Sequence, residues 1–195
     1  GNKPYTSIDA GDIIRKCNPD CIFICTPPDR HFKDIIIALE YRIPIFCEKP
    51  LIWNNNYSRE GIFRDLNYIK NMKGRKLFCN FANNNLLKSL VKKAEIKEEI
   101  KFLKFTFYTH GKHKNRSIAV DLMPHGIAML IYVAGALGKV KYYSETCEEI
   151  KFRCKFQFDN IETHFEFGQS INFDKKFQIE LNNRRFDRND KQEDG

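Results

Sequence analysis

The spacing of the apolar residues changes partway along this chain of 195 residues, and that change constrains the fold more than any other feature. In the first part, short continuous apolar runs such as residues 21–25 alternate with stretches of helical spacing. Continuous runs are typical of strands that a parallel sheet buries on both faces. In the second part, apolar and polar residues alternate one by one, as in strands with one face in water, at residues 139–145, 151–158, 161–167 and 175–181.

The two patterns predict two architectures in succession. The first part is predicted to alternate helices and strands, at residues 9–16 (helix), 21–25 (strand), 29–41 (helix), 44–47 (strand), 57–72 (helix) and 76–80 (strand). A helix over 86–94, a strand over 100–109 and an apolar helix over 121–133 then precede the alternating strands. We therefore predict a partial Rossmann-type parallel sheet followed by an α+β domain with a mainly antiparallel sheet. The boundary is expected near Asn80.

Two details of the second part can also be predicted. Asp159-Asn160 separates two alternating runs and indicates a hairpin. The polar tail over residues 182–195 is expected to be frayed.

The glycine-rich turn of a dinucleotide-binding fold is absent from the sequence. No G-x-G-x-x-G motif occurs, and the neighbouring glycines Gly135 and Gly138 follow a predicted helix rather than a strand. We therefore expect a fragment that lacks the first strands of its Rossmann domain. Such a fragment would leave a sheet edge and apolar faces bare.

Composition narrows the class of protein. The net charge is +8, but its 33 basic residues are interleaved with 25 acidic ones, which favours a solvated surface over a nucleic-acid-binding site. No apolar run approaches the roughly 20 residues of a membrane helix. The seven cysteines contain no Cys-x-x-Cys motif, so no metal site is expected. Several lie in apolar runs, which indicates small core side chains in a reducing, cytoplasmic compartment.

Two strand ends in the first part carry chemically capable residues. Thr26-Pro27 follows one predicted strand, and Glu48-Lys49-Pro50 follows the next. Ligands of open parallel sheets bind outside the carboxyl ends of the strands, so both turns should line one crevice. The alternative, an ordinary loop ion pair between Glu48 and Lys49, is about equally compatible with position alone.

A second pair of polar residues lies in the apolar helix. Asp121 and His125 are four residues apart, so they share a helix face. A carboxylate that orients an imidazole suits general base catalysis near neutral pH. In the alternative interpretation Asp121 caps the helix, Pro124 occupies its first turn, and His125 is a satisfied core histidine.

Taken together, these motifs resemble the glucose–fructose oxidoreductase / inositol dehydrogenase / MocA (Gfo/Idh/MocA) family. Thr26-Pro27-x-x-x-His31 is similar to its nucleotide-contacting turn, Glu48-Lys49-Pro50 to its E-K-P signature, and Asp121-x-x-x-His125 to its catalytic pair. The resemblance covers roughly residues 5–167. It implies a partial NAD(P)-binding Rossmann domain over 1–80 and a substrate and oligomerisation domain over 81–195.

The resemblance also implies a reaction and its residues. NAD or NADP would exchange hydride with a sugar, nucleotide-sugar or polyol hydroxyl, with Lys49, Asp121 and His125 as the catalytic residues. The implied cofactor-binding residues are Thr26, Pro27, His31, Glu48, Lys49 and Pro50. A cis peptide bond is implied before Pro50. His31 could instead have a role on the helix surface.

The implied partners are a small-molecule substrate and further copies of the chain, which would associate through the antiparallel sheet. No nucleic acid or membrane partner is expected, and the fragment by itself is expected to be inactive. One departure from the family is the turn over residues 81–85, which lacks the arginine often found there. The alternative function is that of a non-catalytic sugar-binding or scaffold relative that has lost its dinucleotide site.

Overall fold

The computed structural model describes residues 4–54, 56, 58–72 and 76–188. The chain divides into two compact units, Gly1–Asn80 and Phe81–Gly195, called unit 1 and unit 2 below. Unit 1 contains a parallel sheet with helices, and unit 2 contains a mixed sheet with helices, which confirms the predicted fold class.

Unit 1 alternates helices and short strands as predicted. Its three strands form a parallel sheet in the order β1-β2-β3. Local signals fix the helix starts: the side chain of Asp9 accepts a hydrogen bond from the Gly11 amide, and Ser58 accepts one from the Gly61 amide. The elements are α1 (Ala10–Cys17), β1 (Ile22–Ile24), α2 (Pro28–Glu40), β2 (Ile45–Cys47), α3 (Arg59–Asn71) and β3 (Leu77–Cys79).

Only one face of this sheet is buried. Ile24, Ile45 and Cys47 belong to the core of unit 1, together with three residues of α2, namely Ile35, Ala38 and Leu39. The opposite face carries three phenylalanines in register, exposed by 66%, 36% and 58%, respectively: Phe23, Phe46 and Phe78. The prediction that residues 21–25 are buried on both faces is therefore wrong. The exposed row matches the apolar face that was expected to remain bare.

Unit 2 is built on a six-stranded sheet in the order β5-β6-β7-β4-β8-β9. Its neighbours pair antiparallel except β4 and β7, which run parallel. The predicted two-residue hairpin at Asp159-Asn160 is confirmed, because Phe158 pairs with Ile161. The elements are α4 (Ala82–Lys93), β4 (Phe102–Thr109), α5 (Arg116–Ala134), β5 (Val140–Cys147), β6 (Lys151–Phe158), β7 (Ile161–Gln169), β8 (Lys176–Leu181) and β9 (Arg184–Asp187).

Two predicted loops of unit 2 are regular structure. The turn expected over residues 81–85 is mostly the first turn of α4. The tail expected to fray contains β9, which pairs with β8 and packs Phe186 beside the core. Strand pairing uses backbone groups, so a polar sequence does not prevent it. Residues 189–195 lie outside the described part of the chain.

The helix α5 is the core helix of unit 2. Its Leu122, Met129 and Leu130 are buried in one cluster with the inward-facing phenylalanines of the sheet. By length and composition alone it could cross a membrane, contrary to the expectation that no apolar stretch would approach that length. Its packing against β4, β6 and β7 accounts for the buried part of that apolar surface within this unit.

A glycine allows α5 to approach the sheet closely. A Cβ atom at Gly126 would lie 2.8 Å from the ring of Phe165, a separation that real Cβ atoms essentially never show. Phe165 is itself almost fully buried and cannot swing into solvent. The depth of α5 on the sheet therefore depends on the missing side chain at position 126.

We predict that Gly126→Ala lowers the free energy of unfolding by about 1–3 kcal/mol, because the added methyl group overpacks the core. Chemical denaturation would measure it, with Ser117→Ala at an exposed position of the same helix as the control. Equal stability of the two variants would show that the helix can shift at no cost.

The cysteines only partly match the core role predicted for them. Cys47 and Cys154 are buried and Cys79 is half-buried, whereas the remaining four are exposed: Cys17, Cys21, Cys25 and Cys147. Burial raises the pKa of the Cys47 thiol to about 12 and that of the Cys79 thiol to about 11. These thiols therefore stay protonated at neutral pH.

We predict that iodoacetamide at pH 8 modifies the four exposed cysteines of the folded chain and spares Cys47 and Cys154, because only the thiolate reacts and burial also blocks access. Mass spectrometry of the digested protein would locate the labels. In guanidinium chloride all seven should react. Labelling of Cys47 as fast as Cys147 in the folded protein would contradict the raised pKa.

Candidate functional site

The carboxyl ends of the strands in unit 1 are joined by hydrogen bonds. The Glu48 amide donates to the Ile24 carbonyl at 2.9 Å, and the Asn80 amide donates to the Cys47 carbonyl at 2.8 Å. The Asn80 side-chain Nδ2 donates to Glu48 Oε1 at 2.7 Å. The turn after β2 is thus attached to both neighbouring strands.

Lys49 lies on this turn, half-buried, directly after the bonded Glu48. The peptide bond from Lys49 to Pro50 is cis, as the family resemblance implied. The sequence did not reveal that Asn80 holds Glu48. The position of Asn80 at the end of the third strand was the available signal, because ligand-facing groups gather at strand ends.

His31 joins the two turns that were predicted to line one crevice. Its ring is fully buried, with Nδ1 2.9 Å from the Pro50 carbonyl oxygen and Nε2 2.7 Å from the Thr26 carbonyl oxygen. Both partners can only accept, so both contacts are hydrogen bonds when both ring nitrogens carry a proton. The alternative of a helix-surface role for His31 is wrong, because the ring faces the turns.

The Thr26-Pro27 turn after β1 is also held by a side-chain hydrogen bond. Thr26 Oγ1 donates to Asp34 Oδ2 at 2.8 Å, and Arg30 lies 4.0 Å from the other oxygen of that carboxylate. Pro27 then caps α2, so the amino end of this helix begins at the same edge of the sheet. The positive end of the α2 dipole therefore lies at this edge, where it favours an anionic group.

Asp121 and His125 lie on α5 in unit 2, four residues apart and both half-buried. The helix begins at Arg116, so Asp121 is an interior residue and does not cap it. Pro124 is likewise inside the helix rather than in its first turn. The alternative interpretation that treated Asp121 as a helix cap is therefore wrong.

Groups from the sheet approach this pair. The rings of Phe107 and His125 meet edge to face, with centroids 5.9 Å apart. Gln169 Nε2 donates to Asp121 Oδ2 at 2.6 Å, and its side chain is almost fully buried. Sequence reasoning missed Gln169, although a polar residue in the inward-facing series after Phe165 and Phe167 was a signal.

The structure thus gathers the predicted residues into two groups. Unit 1 brings together the cofactor-binding candidates at one sheet edge: Thr26, Pro27, His31, Glu48, Lys49 and Pro50. Unit 2 presents Asp121 and His125 on one helix. Within the described residues, no group of three or more His, Cys, Asp or Glu side chains is arranged to hold a metal ion.

We predict that His31→Leu lowers the free energy of unfolding by about 1–3 kcal/mol, because the buried imidazole no longer donates a hydrogen bond to the turns that it contacts. Equilibrium denaturation in urea would measure the change, with His113→Leu at an exposed position as the matched control. A loss no larger than the control's would mean that water or other donors replace the imidazole.

Residues 1–60 match the model of an oxidoreductase family with an NAD-binding Rossmann fold, the Gfo/Idh/MocA family. Among curated proteins, none matches the sequence of the chain.

Solved structures match most of the length of the chain. The WlbA dehydrogenase of Thermus thermophilus, solved with NAD and alpha-ketoglutarate, matches 93% of this chain with a TM-score of 0.69 at 15% identity. The scyllo-inositol dehydrogenase of Lactobacillus casei, solved with NAD(H) and scyllo-inositol, matches 92% with a TM-score of 0.68 at 14% identity. The UDP-N-acetylglucosamine 3-dehydrogenase of Acidithiobacillus ferrooxidans matches 90% with a TM-score of 0.71 at 10% identity.

At these identities the likeness shows the fold. The chain spans 64%, 60% and 56%, respectively, of the lengths of those three structures. The resemblance first found in the motifs is confirmed over residues 1–60, which match the Gfo/Idh/MocA oxidoreductase family, and the fold of the chain is similar to that of these dehydrogenases.

Proposed function

We propose that the whole protein is a nicotinamide-dependent dehydrogenase that transfers hydride between NAD or NADP and a hydroxyl of a sugar, nucleotide sugar or polyol. The observation that carries the proposal is the Lys49 turn. It lies at the carboxyl end of a parallel strand, within the segment that matches an NAD-binding oxidoreductase family. We expect the chain by itself to be inactive.

His125 serves as the general base in this proposal. Its imidazole takes the proton of the substrate hydroxyl while the carbon that bears the hydroxyl loses hydride, leaving a carbonyl group. The bound nicotinamide supplies the hydride acceptor at its C4. In the reverse direction the protonated imidazole returns the proton to the carbonyl oxygen.

Lys49 stabilises the oxygen that reacts. An alkoxide-like charge develops on that oxygen as its proton leaves, and the Lys49 ammonium donates a hydrogen bond to it. The half-buried position of Lys49 strengthens this interaction, because fewer water molecules screen the charge. Asp121 holds the imidazole of His125 and stabilises its protonated form, as an orienting carboxylate does in other acid–base pairs.

The remaining candidates line the cofactor site. Thr26, Pro27 and the start of α2 would hold the phosphate-bearing part of the dinucleotide, because the positive end of the helix dipole favours an anion. Glu48 and Pro50 shape the turn that presents Lys49. His31 contributes through the two turns that it joins, because both ring nitrogens already contact their carbonyl groups.

We also propose that the whole protein is cytoplasmic and self-associates through the face of the mixed sheet opposite α5. Across four strands this face aligns polar side chains of both signs: Lys155, His164, Lys104 and Glu180. Such a row suits pairing with a second copy.

Sedimentation measurements of the whole protein would test this interface. A smaller assembled mass for Lys104→Glu supports this face as the interface, and an unchanged mass contradicts it.

We predict that Lys49→Ala in the whole protein lowers kcat by about 100-fold or more, because it removes a donor to the developing charge. Steady-state kinetics with NAD and NADP would measure turnover, and calorimetry would measure cofactor affinity. Lys33→Ala, on the exposed side of α2, is the matched control. Wild-type turnover in Lys49→Ala would reject the role of Lys49. If the unmodified whole protein binds neither NAD nor NADP, the proposed class of enzyme is rejected.

A further inference from the structure

A buried glutamine in unit 2 connects Asp121 to a loop that the proposed mechanism does not use. Gln169 is the last residue of β7 and is 2% exposed. Its Nε2 atom donates to Asp121 Oδ2 at 2.6 Å, and its Oε1 atom accepts from the backbone amide of His113 at 2.9 Å. One carboxamide therefore links β7, α5 and the segment before α5.

The chemistry of the two partners fixes the orientation of this carboxamide. A backbone N–H can only donate, so the side chain of Gln169 must present its oxygen to His113. The amino group is then directed at Asp121, whose ionised carboxylate can only accept. In the flipped orientation the Gln169 amino group would face the His113 N–H, and the Gln169 carbonyl oxygen would face the Asp121 carboxylate. Neither pair could form a hydrogen bond.

The backbone also leaves the side chain of Gln169 little freedom. The amide of Gln169 donates to the Ile150 carbonyl at 3.1 Å, and the residue pairs with Thr109 of β4. The amide of the next residue, Ser170, donates to the Thr109 carbonyl at 3.1 Å. Hydrogen bonds on both sides thus hold the point from which the carboxamide reaches Asp121.

The loop before α5 fits over this carboxamide because of a glycine. A Cβ atom at Gly111 would lie 2.4 Å from both Cδ and Oε1 of Gln169. A flexible side chain in solvent would move aside, but this one is buried and bonded at both ends. Any residue larger than glycine at position 111 must therefore displace the group that contacts Asp121.

We propose that Gln169 is a positioning residue that fixes the carboxylate of Asp121 for its work on His125, with Gly111 as the residue that makes room for it. The inference rests on the proposed function, in which Asp121 orients the base. A neutral donor suits this task, because it holds one carboxylate oxygen in place and leaves the negative charge intact. A lysine or arginine would neutralise the charge, and an apolar residue would remove this hydrogen bond to the carboxylate.

The contact itself can be tested in the chain of 195 residues without any turnover. Gln169→Glu sets two carboxylates against each other and should lower the melting temperature by about 5 °C or more. In Asp121→Asn/Gln169→Glu the asparagine can donate to the new carboxylate, which still accepts from His113. We expect the double variant to regain most of the lost melting temperature. A double variant no more stable than the single one would overturn the contact.

The positioning role is tested by kinetics of the whole protein. Gln169→Leu should lower kcat by about 10-fold to 100-fold and leave the KM for the cofactor unchanged, because only the geometry of the base changes. Gly111→Ala should reproduce this pattern. Lys112→Ala, at the exposed neighbour of Gly111, should match the wild type.

Two outcomes separate this inference from the function on which it rests. If Asp121→Asn lowers turnover but folded Gln169→Leu does not, Asp121 acts without help from Gln169 and the inference is wrong. If Asp121→Asn retains full turnover, the proposed role of Asp121 is wrong. The positioning role of Gln169, which depends on Asp121, is then wrong as well. If Asp121→Asn and folded Gln169→Leu both lower kcat, the role of Asp121 and the positioning role of Gln169 are both supported.

Discussion

The close packing of α5 on the mixed sheet is the constraint on which unit 2 depends. Gly126 lets the helix settle against Phe165, and that depth decides which residues of α5 the sheet can reach. Phe107 then meets the ring of His125, and Gln169 reaches Asp121. A helix held farther out would leave both polar side chains facing water, where a carboxylate and an imidazole interact weakly.

In unit 1, hydrogen bonds from polar side chains hold the turns in place. Its strands contain only three residues each, so strand pairing contributes few backbone hydrogen bonds. Polar side chains supply the missing support: His31 joins the Thr26 and Pro50 turns, and Asn80 holds Glu48. These contacts hold Glu48 and Pro50, the two residues on either side of Lys49. A group on such a turn needs little reorganisation to act on a ligand.

Much of the fold could be predicted from the sequence, because the spacing of apolar residues differs between helices, short strands of a parallel sheet and alternating strands, although the exposed face of the parallel sheet was not predicted for residues 21–25. The hairpin after Phe158 and the end of α5 near Gly135 follow from local turn chemistry in the same way. The strand β9 could not be predicted, because its stability comes from backbone bonds to β8 rather than from its own polar sequence. The early start of α5 was hidden by the polar residues that precede Ile118.

Some residues of the candidate site could likewise be predicted from the sequence, and others could not. Thr26, Lys49, Asp121 and His125 stand out because their chemistry conflicts with their apolar or strand-end surroundings. Gln169 lies 48 residues from Asp121, and the packing of α5 on β7 brings the two together. His31 was noticed, but its direction could not be read from sequence. Which way a buried ring faces depends on where the carbonyl groups of distant turns lie.

The parallel pairing of β4 with β7 also bears on the order of folding during synthesis. The two neighbours of β4 in the sheet, β7 and β8, leave the ribosome well after it, since Phe102 pairs with Glu162 and Leu103 with Leu181. Until then β4 and the apolar α5 have no sheet to join, and contacts of such long sequence separation form slowly. The nascent chain therefore exposes its most apolar helix until nearly all of unit 2 has emerged, which makes that interval the period of greatest need for a chaperone.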